Sequence, residues 1–497
     1  MGKIKDQAIK GTIYTYIGVV IGFITTALIF PKILSKEQIG LLGLLISYSA
    51  IFAQFASLGT GRVVIIAFPY FQSKEHKHHG LLFLMLAVTG IGFVISVIAF
   101  YFLREYLIAR SHESSQLVIR YFHYLLPLIL FTLLFMVLDS YYKVLHKAVI
   151  GIALKEFVQR LLFLVFIIFY YYGFLNFGQY VLFYVIAICL PTIVLIVSLI
   201  KDREFFLKPD LKFVNKDLRK LMIQVGLYGI PIGFSTIIIT NFDRIMVERF
   251  LDVGATGIYT TTAFFATLVV MPSRALLKIS DPFISHSWKN NDLVDLLSLY
   301  KKTSMSQLVI GSLLFIGIWA NQGNIFRILP PAYEPGRYVI FFIGLAFMFD
   351  MISGAAGLIL ANSKHFRYYA YNMILLIVLV VVTNFIFIPI FGLAGAAFAT
   401  CLSKFIMNLG LFLFLKFKYG LQPYSLKYLW VILVAVIAYL AGYFVPASKN
   451  LYFDIFYRST IITIVFLSLL LWFRLYPELN ERYTWLRSKI LSYNKKS

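Results

Sequence analysis

Long apolar runs separated by short polar breaks dominate the pattern of this sequence. Each run is about 20 residues long, which is the length that an α-helix needs to cross the ~30 Å hydrocarbon core of a membrane. Because lipid offers no hydrogen bonds, the backbone of each run must satisfy its own, as a helix does. The runs predict fourteen transmembrane helices, at 11–31, 39–61, 80–103, 121–143, 148–172, 178–200, 223–243, 254–275, 303–322, 338–361, 368–389, 392–415, 425–445 and 455–474.

The composition supports this prediction of an all-α, polytopic integral membrane protein. The chain of 497 residues is 60% hydrophobic and only 13% charged, whereas soluble domains carry about 25% charged residues. The run at 11–31 lacks a small-residue cleavage site and is long for a signal peptide, so we expect it to be retained. The two cysteines, Cys189 and Cys401, lie inside apolar runs and predict neither a disulfide framework nor a metal site.

Lysine and arginine are distributed unevenly between the connections, and this predicts the orientation of the chain. With the N-terminus in the cytoplasm, and with residues within four positions of a span end counted with the adjoining connection, the inner connections hold 31 of these residues and the outer connections 11. Cytoplasmic connections of membrane proteins carry such a basic excess. Both termini are therefore predicted to be cytoplasmic, and topology and contact with membrane lipids explain most of the +23 net charge. No soluble basic module is present, so we expect no nucleic-acid partner.

The polar break at 201–222 separates six predicted helices on each side, a division common in transporters built from related halves. We predict an N-terminal lobe at 1–220 (helices 1–6) and a C-terminal lobe at 221–420 (helices 7–12). Helices 13 and 14 and a basic cytoplasmic tail occupy 421–497. A second polar break, at 276–302, is typical of an amphipathic stretch at the membrane surface.

A weak sequence similarity between the two halves supports this division. One helix in each half has a glycine-led start, Ile39-Gly40-Leu41 in the first and Thr256-Gly257-Ile258 in the second. Each of these helices ends near an arginine about one membrane thickness later, at Arg62 and Arg274.

Several motifs occur in an order that resembles the polysaccharide-exporter branch of the multidrug/oligosaccharidyl-lipid/polysaccharide (MOP) flippase superfamily, and its O-antigen flippases most of all. The resemblance covers the chain from about residue 10 to 475 and depends on the order and spacing of individually loose motifs. The motifs are Ile39-Gly40-Leu41-Leu42, Ser57-Leu58-Gly59, Lys155-Glu156 with Arg160, Asp243-Arg244-Ile245-Met246, Val253-Gly254-Ala255-Thr256-Gly257-Ile258-Tyr259, Asp281-Pro282-Phe283-Ile284-Ser285 and Phe391-Gly392-Leu393-Ala394-Gly395-Ala396-Ala397.

The resemblance implies a flippase in the bacterial inner membrane that works by alternating access between two lobes. Its substrate would be an undecaprenyl-diphosphate-linked oligosaccharide, an O-antigen or other surface polysaccharide unit, moved from the inner to the outer leaflet. The polysaccharide polymerase machinery is a candidate partner. The sequence does not specify the sugar.

Basic residues deep in the spans are candidates for holding the lipid diphosphate, because charges in hydrocarbon are costly and are usually functional or paired. Arg160 and Lys404 lie about 18 Å into their spans, near the middle of the core. Arg62 and Arg274 lie nearer span ends, so the four cations come two from each predicted lobe. Arginine also offers planar, bidentate pairing with phosphate. In the alternative interpretation, Glu156 neutralises Arg160 one helical turn away, and Arg62 and Arg274 are topology charges.

Energy coupling by H⁺ or Na⁺ needs an acid that can change its occupancy, and no resident cofactor is expected. Asp350 is the isolated deep acid, while Asp139, Asp243 and Glu156 are further candidates. Alternatively, Asp350 pairs with Lys404 or with polar neighbours. A Na⁺ site is conceivable at Asp243 or Asn241 together with Asn384 and Thr400.

Three other functions are alternatives to an oligosaccharide flippase. A multidrug/cation antiporter of the same superfamily is second, although the deep charges here lean basic. A peptidoglycan lipid-precursor flippase is third. A membrane enzyme of glycan assembly is disfavoured because the predicted outer connections are short and the chain has no GxSxG, HExxH, Walker lysine or CxxC motif. His76, His78 and His79 are expected to be solvated in the first inner connection.

Overall fold

The computed structural model describes residues 2–109, 116–208, 210, 212–476 and 479–481, with the backbone alone for 2–6, 8–9 and 103–109. The basic end of the predicted tail, 482–497, lies outside the described residues. Within the described ranges the chain is helical and has no strand. The α-helices are α1 (Gly2–Phe23), α2 (Phe30–Ile33), α3 (Lys36–Ala56), α4 (Thr60–Phe71), α5 (Leu81–Ala109), α6 (Gln116–Tyr121), α7 (Leu125–Val144), α8 (Ala148–Ile152), α9 (Gln159–Tyr171), α10 (Phe177–Lys201), α11 (Lys216–Phe250), α12 (Val253–Lys289), α13 (Leu293–Ala320), α14 (Gln322–Ile328), α15 (Arg337–Ile352), α16 (Ala356–Ala361), α17 (Phe366–Tyr419), α18 (Leu426–Tyr443) and α19 (Leu451–Trp472).

Two short π-helical segments, Ile24–Ile29 and Ala153–Val158, join α1 to α2 and α8 to α9. The all-α, polytopic membrane class is confirmed, because twelve described helices are long and apolar enough to span a membrane. The count of fourteen stays a prediction. The fifth predicted helix is helical but carries Lys155, Glu156 and Arg160. The eleventh and twelfth together form α17.

The helix α17 has 54 residues, which would make a straight rod about 80 Å long. It is not straight, because Gly392 has φ 58° and ψ −132° in its interior. Positive φ at this position favours glycine, which has no Cβ to clash with the backbone. On either side of the break the chain runs back along itself, and the Asn372 amide donates to the Met407 carbonyl at 3.1 Å.

The chain divides into two compact units: Met1–Phe264 with Met373–Thr400, here called the first unit, and Phe265–Asn372 with Cys401–Ser497, the second unit. The predicted lobe boundaries stay a prediction. The segment 276–302, predicted to be an amphipathic stretch at the membrane surface, is mostly helical, because α12 runs to Lys289 and α13 begins at Leu293. The Asp292 side chain accepts from the Asp295 amide at 2.8 Å and caps α13.

In the first unit the two glycine-led starts pack against each other. A Cβ added to Gly40 would lie 1.9 Å from the Val253 carbonyl oxygen, and one added to Gly257 would lie 1.9 Å from the Lys36 carbonyl oxygen. Each glycine therefore faces the carbonyl four residues before the other glycine. This reciprocal contact of α3 and α12 is the arrangement expected for corresponding positions in two related halves.

In the second unit α18 and α19 form a hairpin that a buried ion pair ties to α14. Arg458 contacts Asp454 at 3.2 Å and donates to the Gly442 carbonyl at 2.6 Å. Asp454 also accepts from the Asn324 amide, at 2.5 Å. Because the remaining lone pairs of this buried carboxylate are satisfied, the pair specifies how the appended helices pack.

Candidate functional site

A contact between α1 and the segment 153–160 places Arg160 in the first unit. Gly18 and Gly22, one turn apart on α1, leave room for the Glu156 backbone and the Arg160 side chain. A Cβ on Gly18 would lie 1.8 Å from the Glu156 carbonyl oxygen. Arg160 contacts the Glu156 carboxylate at 2.6 Å and donates to the Gly18 carbonyl at 2.9 Å. The predicted Glu156–Arg160 pair is therefore present, and it lies at a π-helical segment, a feature frequent at functional sites.

A cavity of ≈ 170 Å³ lies beside this pair, entirely within the first unit. Two guanidinium groups line it, those of Arg160 and Arg244, together with hydroxyl and aromatic side chains. Its full lining is Gly22, Thr25, Thr26, Phe30, Ile39, Leu42, Gly43, Ile46, Arg160, Phe163, Tyr184, Arg244, Thr260 and Phe264. Tyr184 stacks on Phe163 with ring centroids 4.2 Å apart, which fixes one aromatic wall.

Arg244 was not among the residues that the sequence analysis selected. Among the described residues its guanidinium has no ion pair or hydrogen-bond partner, so its charge faces the cavity uncompensated by a direct contact. The signal was the adjacent Asp243-Arg244 pair in an apolar span. Successive residues on a helix point about 100° apart, so α11 directs the two charges into different surroundings.

Asp243, the residue before Arg244, lies in a buried polar cluster of the first unit. Its carboxylate accepts from the Asn384 amide at 2.9 Å, from the Thr400 hydroxyl at 2.6 Å and from the Tyr259 hydroxyl at 2.6 Å. Asp243 itself is 2% exposed. The structure thus brings together three of the residues proposed for a Na⁺ site. Asn241 instead accepts from the Ser47 hydroxyl at 3.2 Å.

The Asn384 side-chain oxygen in this cluster is buried and has no hydrogen-bond partner among the described residues. Buried acceptors are normally satisfied, so an orphaned one calls for a ligand or a water. The oxygens available here are of carboxylate, amide and hydroxyl type, which are the donors that hard cations prefer. In the part of the chain that the structure describes, no group of three or more His, Cys, Asp or Glu side chains could hold a metal ion.

Asp350 is not isolated; the alternative interpretation, in which it pairs with Lys404, is the one that the structure shows. In the second unit the Lys404 ammonium donates to its carboxylate, and the Asn408 amide donates to it at 2.9 Å. Lys404 also lies 4.4 Å from the centre of the Phe347 ring. The sequence allowed this pairing but could not decide between pairing and isolation, because Asp350 and Lys404 are 54 residues apart on different helices.

Breaking the Lys404–Asp350 pair should destabilise the protein. Lys404 is 5% exposed and Asp350 26%, so Lys404→Met leaves a carboxylate in a poorly solvated site, at a cost of about 3 kcal/mol. The double variant Lys404→Met with Asp350→Leu should recover most of this loss. Thermal unfolding in detergent measures both, and equal stability of the single variant and the wild type would contradict a structural role for the pair.

The other predicted site residues have separate surroundings. Asp139 pairs with Lys143 at 2.6 Å, one turn along α7. Arg62 lies on α4 beside Gly229, and its side chain has no ion pair among the described residues. Arg274 is exposed on the part of α12 that belongs to the second unit. The predicted cations thus divide as Arg62 and Arg160 in the first unit and Arg274 and Lys404 in the second.

The prediction that the histidines of the first inner connection are solvated is wrong for His78, which is 3% exposed. His78 contacts Glu204 at 3.3 Å, and His79 contacts Asp210 at 2.9 Å while stacking on Phe213 with ring centroids 3.7 Å apart. The hydrogen bond from His79 lowers the pKa of the Asp210 carboxyl. The first connection and the segment 204–213 are therefore held together by two histidine–carboxylate contacts.

The sequence model of a family described as polysaccharide biosynthesis protein matches residues 8–288 of this chain. The chain belongs to that family. The chain is 20% identical over 207 residues to the capsular polysaccharide biosynthesis protein CapF of Staphylococcus aureus. The match covers 41% of this chain and 52% of CapF, so the chain spans about half the length of that relative.

Solved structures share the fold of this chain. The lipid II flippase MurJ in an inward closed conformation superposes with a TM-score of 0.71 at 17% identity, over 94% of this chain and 98% of MurJ. An inward-facing multidrug resistance MATE transporter of the MOP superfamily gives 0.62 at 16% identity, over 82% of this chain and 94% of that one. The family model confirms the resemblance to polysaccharide exporters. The two solved structures, at identities this low, establish the fold alone.

Proposed function

We propose that this protein moves an undecaprenyl-diphosphate-linked oligosaccharide from the inner to the outer leaflet of the bacterial inner membrane by alternating access. Family membership, the shared fold and the apolar spans support this proposal. Both termini lie in the cytoplasm in this proposal, and a polysaccharide polymerase takes up the delivered unit. The proposed substrate class is the lipid-linked unit of a surface polysaccharide, namely an O-antigen, a capsule or an exopolysaccharide.

The cavity beside Arg160 and Arg244 is the observation that carries the proposal. A diphosphate that leaves water must find replacement donors, and guanidinium groups supply bidentate, charge-assisted hydrogen bonds to phosphate. The cavity presents two such groups, of which one is already paired with Glu156. Arg244, whose guanidinium has no ion pair or hydrogen bond with the described residues, therefore supplies the charge for the anionic headgroup. Thr260 in the lining offers a further donor, because its buried hydroxyl has no partner among the described residues.

Coupling to a cation is proposed at Asp243, with the ion as a co-transported species. Asn384, Thr400 and Tyr259 each lie within hydrogen-bond distance of Asp243 in the first unit. The oxygens available to a cation are those of the Asp243 carboxylate, the Asn384 side-chain amide and the Thr400 and Tyr259 hydroxyls. Asp350 is less suited, because Lys404 already compensates its charge.

Replacing Asp243 by asparagine should abolish the dependence of the thermal midpoint on Na⁺. We expect Na⁺, added in place of K⁺ at constant ionic strength, to raise the thermal midpoint of the wild-type protein, because a ligand that binds only the folded state stabilises it. The Asp243→Asn variant should show no such shift. The matched control is Asp139→Asn, whose carboxylate pairs with Lys143 outside the cluster. A Na⁺ response that persists in Asp243→Asn would contradict this assignment, and a response to pH alone would indicate protons.

Depletion of the protein in its native bacterium tests the transport direction. Extraction of polyprenyl-linked sugars should then show complete oligosaccharide units accumulating on the inner leaflet. Accumulation of the peptidoglycan precursor instead would favour a peptidoglycan lipid-precursor flippase, for which the shared fold with MurJ is the supporting observation. Unchanged lipid-linked sugars with greater sensitivity to cationic drugs would favour a multidrug antiporter, although two guanidinium groups against one carboxylate make the cavity unfavourable for cations.

A further inference from the structure

An apolar groove runs along the first unit on the side of α11 that faces α5. It encloses ≈ 710 Å³ and is separate from the cavity at Arg160 and Arg244. Helix α4 packs against both α5 and α11 and forms the floor of the groove. Its lining is Leu58, Thr60, Val63, Leu84, Met85, Val88, Val214, Arg219, Met222, Ile223, Gly226, Leu227 and Ile230.

One helical face of α11 lines the groove with a charged residue at one end and apolar residues along the rest. Arg219, Ile223, Leu227 and Ile230 recur at the three- and four-residue spacing of a single face. The distance along the helix from Arg219 to Ile230 is about 16 Å, close to half of the ~30 Å hydrocarbon core. Ile223 and Leu227 are 53% and 63% exposed, so the groove opens sideways, where lipid surrounds a membrane helix.

Arg219 stands at the end of the groove that is predicted to reach the cytoplasmic interface. Among the described residues its side chain has no ion pair and no hydrogen bond, and it is the only charged residue in the lining. The neighbouring chain is basic, with Lys212, Lys216 and Lys220 against one acid, Asp217. Juxtamembrane basic segments of this kind attract anionic lipids.

We propose that this groove binds an anionic glycerophospholipid of the inner leaflet, with its phosphate on Arg219 and one acyl chain along α11. The single guanidinium matches the single phosphodiester of such a lipid. A diphosphate carrying an oligosaccharide would need further cations and polar donors, and the described lining offers only Arg219 and the Thr60 hydroxyl. The inference goes beyond the proposed transport function and does not depend on it.

Lipid retention by the purified full-length protein tests the proposal, with native mass spectrometry as the readout. Dioleoyl-phosphatidylglycerol should be retained by the wild type at least tenfold better than by Arg219→Ala. Lys201→Ala is the matched control, since it removes one exposed charge of the first unit that neither lines the groove nor belongs to the basic segment 212–220, and it should retain the lipid as the wild type does. Ile223→Trp, which fills the groove, should lose the lipid even though every charge remains.

Three further probes identify the occupant. Dioleoyl-phosphatidylcholine has the same chains without net charge, and weaker retention of it supports the role of the anionic headgroup. Inorganic phosphate alone should not bind, because the acyl chain of the lipid contributes to the affinity. Phosphate binding without lipid binding would overturn the proposal. Equal retention by Arg219→Ala and the wild type would overturn it, as would preferential retention of undecaprenyl phosphate. Thermal midpoints of all variants confirm that the loss reflects the groove and not unfolding.

Discussion

Replacing Arg244 by alanine should reduce transport of the lipid-linked sugar by about 10- to 100-fold, because hydrogen bonds to a charged group contribute about 1.5–3 kcal/mol. The protein should remain folded, since the Arg244 guanidinium forms no ion pair or hydrogen bond with the described residues. Its removal therefore takes nothing from the packing of α11 except the aliphatic stem. Export of the surface polysaccharide in a strain that carries only the variant measures the effect.

Lys216→Ala is the control for Arg244, because it removes a basic, exposed side chain from the first turn of the same helix. It should export normally. Arg160→Ala should also lose transport, but with lower stability, since Glu156 would lose its partner and the Gly18 carbonyl its donor. Normal export by both Arg244→Ala and Arg160→Ala would rule out the cavity as the headgroup site.

Replacing Gly257 by alanine should destabilise the fold more than any other alanine substitution considered above. The added Cβ would lie 1.9 Å from the Lys36 carbonyl oxygen, so the backbones of α3 and α12 would have to separate. Overpacking of a tight contact costs about 1–3 kcal/mol and occasionally more, and we expect about 3 kcal/mol here because the obstacle is backbone. The thermal midpoint and the yield of monodisperse protein in detergent are the measurements.

A glycine with free space is the matched control for this contact. Gly90 lies within α5, and a Cβ added there would meet nothing within 4 Å. Gly90→Ala should therefore leave the midpoint unchanged or raise it slightly, because alanine favours the helix. If Gly257→Ala unfolds at the same temperature as Gly90→Ala, the close contact of α3 with α12 is not present in the protein.

Local pairings could be predicted from the sequence because helix geometry fixes them. Glu156 and Arg160 are separated by four residues on one helix, and the structure joins them at 2.6 Å. The polar residues Asp243, Asn384 and Thr400 were detectable because each interrupts an apolar span, and burial in hydrocarbon forces such groups to find one another. The repeated glycine-led starts at Gly40 and Gly257 likewise proved to face each other.

Depth along a span was a poor guide where tertiary contacts decide the environment. The sequence left two interpretations of Asp350 open, isolation or pairing with Lys404, and Lys404 reaches it from another helix. Arg244 was passed over because it lies near the predicted end of its span, whereas α11 continues to Phe250 and keeps this residue beside the cavity. Hydropathy locates the limits of apolar runs but not the helical extensions beyond them.

The most direct test of the central claim is transbilayer movement of an undecaprenyl-diphosphate-linked sugar in vesicles that contain only this purified protein. Sugar exposed on one leaflet is measured with a membrane-impermeant probe, for the wild type, Arg244→Ala and Lys216→Ala. The account predicts movement with the wild type and Lys216→Ala, and a loss of about tenfold or more with Arg244→Ala. Equal movement in all three preparations, or movement no faster than in protein-free vesicles, would contradict it.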